Sequence, residues 1–226
     1  RQGRASPQYV EPQQFLPAYP GVLNDHYNPE IEIYRGLWLL SWFVKEFGTA
    51  DAIDAKEKGM APEALLDRRI RDLPAGSDGL LLQPYWTAGI LHPDSLGAVI
   101  GFSDYHTRYH FYRAIIEGLC LELYMALRIM EDRSGLTIHE IRIGGGGAKS
   151  DVVCQIAADV FGLPVVRSQT HEACSIGSPP LPRKALLSFH LRQERSFAGT
   201  VRRRIRRHVR RLRLQLCDRS GRVRRL

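Results

Sequence analysis

The sequence predicts an α/β fold, on three observations. Between Ile138 and Val166 the chain reads strand, glycine-rich loop, helix, strand, the order of an α/β unit. Upstream, residues 106–133 repeat apolar side chains at three- and four-residue steps, as a long amphipathic helix does. The apolar fraction, 44% of 226 residues, is enough for a sizeable core.

Taken in order, residues 1–30 are rich in Pro, Gln and Tyr and read as loop with at most one short strand. Ile31, Ile33, Leu37, Leu40, Trp42, Phe43 and Phe47 crowd one face ahead of Gly48, which predicts a helix over 31–47. A second helical stretch over 51–73 is interrupted near Gly59 and Pro62. Residues 72–79 form a turn-rich bend, and 80–85 a short buried strand. Residues 99–102 read as another strand. The long helix then runs from His106 to about Arg133, with Ile115, Leu119, Leu123, Ala126, Leu127 and Met130 on its apolar face and Gly135 as its stop. Ile138–Ile143 alternates apolar and polar, as a half-buried strand does. A helix over 150–161 follows the glycines, with Gly162 as C-cap and Pro164–Val166 as a strand.

The net charge of +8 hides two regions of opposite sign. Residues 181–226 carry fifteen Arg and one Lys against Glu194 and Asp218, a net +14, which leaves −6 over residues 1–180. No run of about 18 apolar residues exists, so no membrane span is expected. Four scattered cysteines without a CxxC pair argue against zinc and redox motifs and fit a reducing, cytoplasmic setting.

The chemistry-bearing feature is Gly144-Gly145-Gly146-Gly147-Ala148-Lys149-Ser150. Glycines let a backbone approach a ligand closely. The helix start near Ser150 adds a preference for an anion worth about 0.3–1 kcal/mol. A glycine-rich cap that binds nothing has the same composition. Two phosphate motifs fail: Ala148 stands where a Walker loop needs Gly, and Lys149 or Ser150 stands where the dinucleotide fingerprint needs its last Gly.

The loop, Gln155-Ile156-Ala157-Ala158-Asp159-Val160 and Gly162-Leu163-Pro164-Val165 resemble the second domain of the FGGY carbohydrate kinases, which include xylulose, ribulose, gluconate and glycerol kinases. Gly97–Phe102, followed after seven residues by His110–Gly118, is similar to the family's other signature, with Phe102 where a smaller aliphatic residue is usual. Pro74–Leu80 and Pro84-Tyr85 fit the segment before it. Ala88-Gly89-Ile90-Leu91 departs from the Gly-Glu-Arg of many relatives, which leaves the sugar class open. The resemblance is strong over 74–178, weaker over 28–73 and absent after about 180.

The resemblance implies a partial actin-like/RNase H-like second domain of a sugar kinase, in which ATP and Mg²⁺ meet a sugar or polyol held by the first domain. By position, Gly146 and Ser150 would contact the nucleotide, and Gly145 and Gly147 would let the loop approach it. Lys149 would face either nucleotide or solvent. Glu117 is expected to be a structural carboxylate bonding backbone or Arg113. His106 and His110 have a metal-compatible i, i+4 spacing but no evident third ligand. No catalytic residue and no metal ligand is assigned.

Three regions are therefore expected: a loop-rich segment over 1–30 whose start is truncated, an incomplete ATP-binding kinase domain over 31–178, and an Arg-rich tail over 179–226. The family's Asp base and the sugar-binding first domain would lie upstream of Arg1, so the polypeptide alone is expected to be inactive. The tail's Arg excess is that of GC-rich DNA read out of frame, and the tail is expected to be frameshifted or disordered. The alternative is a non-catalytic nucleotide- or nucleic-acid-binding protein using that tail. With only Phe189 and Phe197 to stack, sequence-specific nucleic-acid readout is not expected. A homo-oligomer is compatible with these features.

Overall fold

The computed structural model describes residues 2–3, 9, 11, 17–21, 25–87, 89, 93–167 and 195–197. Where the sequence suggests loop with at most one short strand, the described residues up to Ile31 include two antiparallel pairs of two-residue strands. Strand β1 (Gln2–Gly3) pairs antiparallel with β4 (Glu30–Ile31), and β2 (Tyr19–Pro20) pairs with β3 (Tyr27–Asn28). These pairings were not legible because two-residue strands carry no alternation to read.

Helix α1 runs Trp38–Phe47, seven residues later in its start than the apolar pattern predicts. Ile31 is taken up by β4, and Arg35 and Gly36 sit at positive φ (71° and 40°), which no helix accommodates. Gly48 ends α1 as expected, its N–H donating to the Val44 carbonyl at 3.0 Å. The predicted interruption of the next helix holds: α2 is Thr49–Glu57 and α3 is Pro62–Ile70, with Pro62 in the first turn, where its missing N–H costs nothing. Buried Asp51 ties α2 to the start of the next long helix, accepting from Arg108 Nε at 2.7 Å and Tyr109 Oη at 3.1 Å.

Strand β5 (Leu81–Gln83) pairs antiparallel with β6 (Ala98–Ile100). The strand expected to reach Phe102 stops at Ile100, where Gly101 turns the chain against the Gly79 carbonyl. Helix α4 spans Arg108–Ser134. His110 Nδ1 accepts from the Thr107 N–H at 3.1 Å at its start, and Gly135 closes it in the left-handed conformation. The sequence suggests one apolar face, but residues 110–120 are buried on every side. Helix α4 is thus the axis of the core: Phe43, Leu66 and Ile70 from α1 and α3, Leu82 from β5, and Ile156 and Ala157 from the last helix belong to the same apolar cluster as Tyr112, Ile115 and Ile116.

Strand β7 (Ile141–Ile143), helix α5 (Asp151–Phe161) and strand β8 (Val165–Arg167) form the predicted strand–helix–strand unit. The strands are parallel, with Ile143 opposite Arg167. Strand β7 is shorter than predicted because the Ile138 N–H bonds the Glu131 carboxylate at 2.8 Å instead of a neighbouring strand. Strand β9 (Arg195–Phe197) adds antiparallel to β8. The segment 168–194 and the rest of the Arg-rich tail lie outside the described residues. Among the described residues no helix is long and apolar enough to cross a membrane.

Gly118 sets the distance between α4 and β5: a Cβ there would stand 2.5 Å from the Leu82 carbonyl oxygen. Ala in a helix gains up to about 1 kcal/mol over Gly. A clash with fixed backbone outweighs that, since overpacking costs about 1–3 kcal/mol. Gly118→Ala is therefore expected to lower the urea midpoint of the chain, and an unchanged or higher midpoint would contradict this packing.

Candidate functional site

The glycine loop begins where β7 ends. Gly145 holds φ 76° and ψ −166°, a conformation essentially closed to residues with a Cβ. Gly146–Lys149 then makes one 3₁₀ turn, in which the Ala148 N–H donates to the Gly145 carbonyl at 3.2 Å and the Ser150 N–H to that of Gly147 at 3.3 Å. Ala148 is fully buried and anchors the turn. Ser150 caps α5, its hydroxyl accepting the Val153 N–H at 3.0 Å.

The loop glycines differ in role. A Cβ on Gly147 would stand 2.2 Å from Leu37 Cδ1, the tip of a partly exposed side chain that can swing aside, so the residue just before α1 lies against the turn without fixing glycine there. A Cβ on Gly146 would meet nothing within 4 Å, which makes Gly146 the exposed face of the turn. Lys149 is exposed.

Three residues around the loop escaped the sequence reading. The apolar pattern places Leu37 on a helix face, yet its side chain lies against Gly147. Arg167 bonds the carbonyl side of the turn from β8, donating to Ala148 at 2.9 Å. Asp67 on α3 is the third. Burial raises its carboxyl above the usual carboxylate range, and the nearby Ser150 hydroxyl acts in the opposite sense. Among the described residues, Asp67 Oδ1 and Tyr112 Oη are buried without a hydrogen-bond partner. Burial also holds the Tyr112 phenol well above its ordinary value.

Glu117 is the structural carboxylate that the sequence suggests. One oxygen accepts the Gly76 N–H at 3.0 Å and Arg113 Nε at 2.8 Å, and the other accepts the Ser77 hydroxyl at 2.9 Å. Burial raises this carboxyl, while Arg113 and the two turn donors pull it down. The rings of His106 and His110 accept locally through Nδ1, from the Ser103 N–H at 2.9 Å and the Thr107 N–H at 3.1 Å, while Nε2 of His110 faces the Asp78 carboxylate at 3.4 Å. Among the described residues no group of three or more His, Cys, Asp or Glu could hold a metal.

A cavity of about 680 Å³ opens between α4, α5 and β7. Leu119, Leu123, Val153 and Phe161 make it mainly apolar, with His139, Glu140 and Arg142 also lining it, and it reaches the glycine loop only at Gly144. An apolar space of this kind does not suit phosphates. The polar opportunity is therefore the outer face of the 3₁₀ turn at Gly146.

Removing the Glu117 carboxylate leaves Arg113 buried with one lost partner and the 76–79 turn unclasped. Breaking a buried pair in this way costs about 3–5 kcal/mol. Glu117→Ala is expected to lose stability on that scale in chemical denaturation, and Glu117→Gln less, because its carbonyl oxygen still accepts. Equal stability of Glu117→Ala and the parent would refute the structural role.

Residues 3–179 match the model of the FGGY family of carbohydrate kinases, C-terminal domain. An uncharacterized sugar kinase, YgcE, of Escherichia coli K12 is 32% identical over 146 residues, covering 65% of this chain and 30% of that protein. Xylulose kinase of Bacillus subtilis is 30% identical over 164 residues, covering 71% of this chain and 30% of the relative. The crystal structure of Plasmodium falciparum glycerol kinase with ADP superposes with a TM-score of 0.61 at 16% identity, covering 82% of this chain and 36% of that one. The chain thus spans about 30% of the length of these curated relatives.

Proposed function

The chain belongs to the FGGY family of carbohydrate kinases, and from that premise we propose that its glycine loop binds the adenine nucleotide of an ATP-dependent sugar kinase. In this reading the γ-phosphate of ATP passes to a hydroxyl of a sugar or polyol. Gly145, Gly146, Gly147 and Ser150 form the nucleotide-facing turn, with Lys149 beside it. The observation that carries the reading is the geometry of that turn. It lies between a parallel strand and a capped helix, one glycine is held in a conformation that demands glycine, and Gly146 is open to a ligand.

Mg²⁺ accompanies ATP in such chemistry and neutralises phosphate charge. The described side chains do not build a site for it. Mg²⁺ keeps several waters and is commonly held through substrate phosphates, so the nucleotide itself is its place in this reading. The match to a C-terminal domain model, and the 30% share of YgcE that the chain spans, support a division of labour. These 226 residues would supply the nucleotide side of a cleft, and a sugar-binding domain outside them the other. The polypeptide alone would then bind nucleotide without transferring phosphate. Its setting would be the cytoplasm, where ATP is available and the thiols of Cys120 and Cys154 stay reduced. The competing nucleic-acid reading rests on residues 181–226, of which the structure describes only Arg195–Phe197, paired to β8.

Gly146 gives a clean test because the fold leaves room there. Gly146→Leu is expected to keep stability within about 0.5 kcal/mol, as surface substitutions do. It should weaken MgATP binding by roughly tenfold or more, about 1.4 kcal/mol, in titration calorimetry. Absence of MgATP binding by the parent chain, or equal binding by the variant, would refute the reading. ATP-dependent sugar phosphorylation by the purified 226-residue chain would refute the division of labour.

A further inference from the structure

Arg167 ends β8 directly opposite Ile143, the last residue of β7 before the glycines. That register carries its side chain to the loop. Nη1 donates to the Ala148 carbonyl at 2.9 Å and lies 3.5 Å from that of Lys149, while Nη2 donates to Asp151 Oδ1 at 2.8 Å. The side chain is only 15% exposed, so these contacts are made at the edge of the core and not by a solvated arm.

The choice of partners gives the arrangement its meaning. A 3₁₀ turn points its carbonyls toward its C-terminal end and its N–H groups toward its N-terminal end. The last carbonyls have no partner within the turn. Arg167 takes up those of Ala148 and Lys149, the C-terminal end of the turn. In the same fork it grips Asp151, the first residue of α5. A planar guanidinium with fixed donor directions sets the relative orientation of the groups it bonds. Turn and helix are thereby fixed to β8, and the Gly145–Gly147 end of the turn faces away from the guanidinium.

We infer that Arg167 is a positioning residue for the nucleotide loop: it holds the 3₁₀ turn and the start of α5 in one orientation without touching the nucleotide. The inference rests on the reading of the loop given above. Its consequence is that nucleotide affinity depends on a side chain at the opposite end of the turn from Gly146. Loss of the fork would let the turn sample other orientations, and positioning errors of this kind cost binding and rate steeply.

The test uses the 226-residue chain and its variants Arg167→Gln, Arg167→Lys and Asp151→Asn. Hydrogen exchange without ligand should show amides of 144–150 exchanging about tenfold faster in Arg167→Gln, as local openings do, with α4 unchanged. MgATP affinity should fall roughly tenfold in Arg167→Gln and less in Arg167→Lys, which keeps a donor but not the fork. Asp151→Asn should fall between the parent and Arg167→Gln. Unchanged exchange over 144–150 in Arg167→Gln would overturn the inference. So would faster exchange spread over α4 and β7, or variants that do not fold, since either would make Arg167 a general stabiliser. A parent chain that binds no MgATP would sink the nucleotide reading, while the ligand-free exchange still decides whether Arg167 orders the loop.

Discussion

Glu117 brings a carboxylate into the most buried stretch of α4, where desolvation disfavours its charge. Removing a carboxylate from water costs several kcal/mol unless partners replace the lost hydration. Arg113, four residues earlier on the same helix, supplies the opposite charge and also reaches the Ile70 carbonyl at 3.2 Å. The Gly76 N–H and the Ser77 hydroxyl supply the rest. The clasp holds a turn in which Gly76, Ser77, Asp78 and Gly79 all have positive φ. Ser77 and Asp78 each carry strain on the order of 1–3 kcal/mol there. That turn reverses the chain from α3 into β5, which then lies on α4 at Gly118. The other side of α4 carries α5, and α5 carries the glycine loop at its start. The position of the loop is therefore inherited from a helix whose packing one buried ion pair organises.

Around the loop itself the constraints are local and divide among neighbouring residues. Gly145 meets a backbone requirement, Gly147 lies against the Leu37 side chain, and Gly146 leaves access. Ser150 spends its hydroxyl on the α5 cap. A direct contact of that side chain with a ligand would compete with the cap, so its backbone is the better candidate for recognition. The four glycines look equivalent in the sequence, and only the contacts of α1 and the turn geometry separate them.

Much of this architecture was legible. Helices α4 and α5 announce themselves through apolar period and end at Gly135 and Gly162, both in the left-handed conformation. The parallel β7–α5–β8 unit follows from the order of its elements, and the family from several motifs in register. Local signals failed where a distant partner decides. Ile31 and Ile33 fit a helical pattern, but pairing with Gln2–Gly3 and a left-handed Arg35 delay α1 to Trp38. Ile138–Glu140 alternates like a strand, yet the Glu131 side chain takes the Ile138 N–H. Arg167 and Asp67 meet the loop from elements far along the chain, and nothing in their own neighbourhoods marks them.

The loop's chemistry also bounds what one wall can achieve. Its contribution to a bound nucleotide would be backbone dipoles and one exposed Lys149, without a described cluster of carboxylates for a metal. Ligand sites that bind well bury 70–90% or more of a drug-sized ligand, an order-of-magnitude standard that a single convex turn cannot meet. Gly146 has open space around it where such a site would have an opposing surface. Electrostatic stabilisation of a transferring phosphoryl group is also strongest where water is excluded. Transfer and full burial of the nucleotide would therefore call for a second surface closing on Gly146, while the loop alone would hold MgATP more weakly, consistent with a chain that spans 30% of its sugar-kinase relatives. The cavity behind β7 does not supply that surface, because it meets the loop only at Gly144 and not at the open face of Gly146.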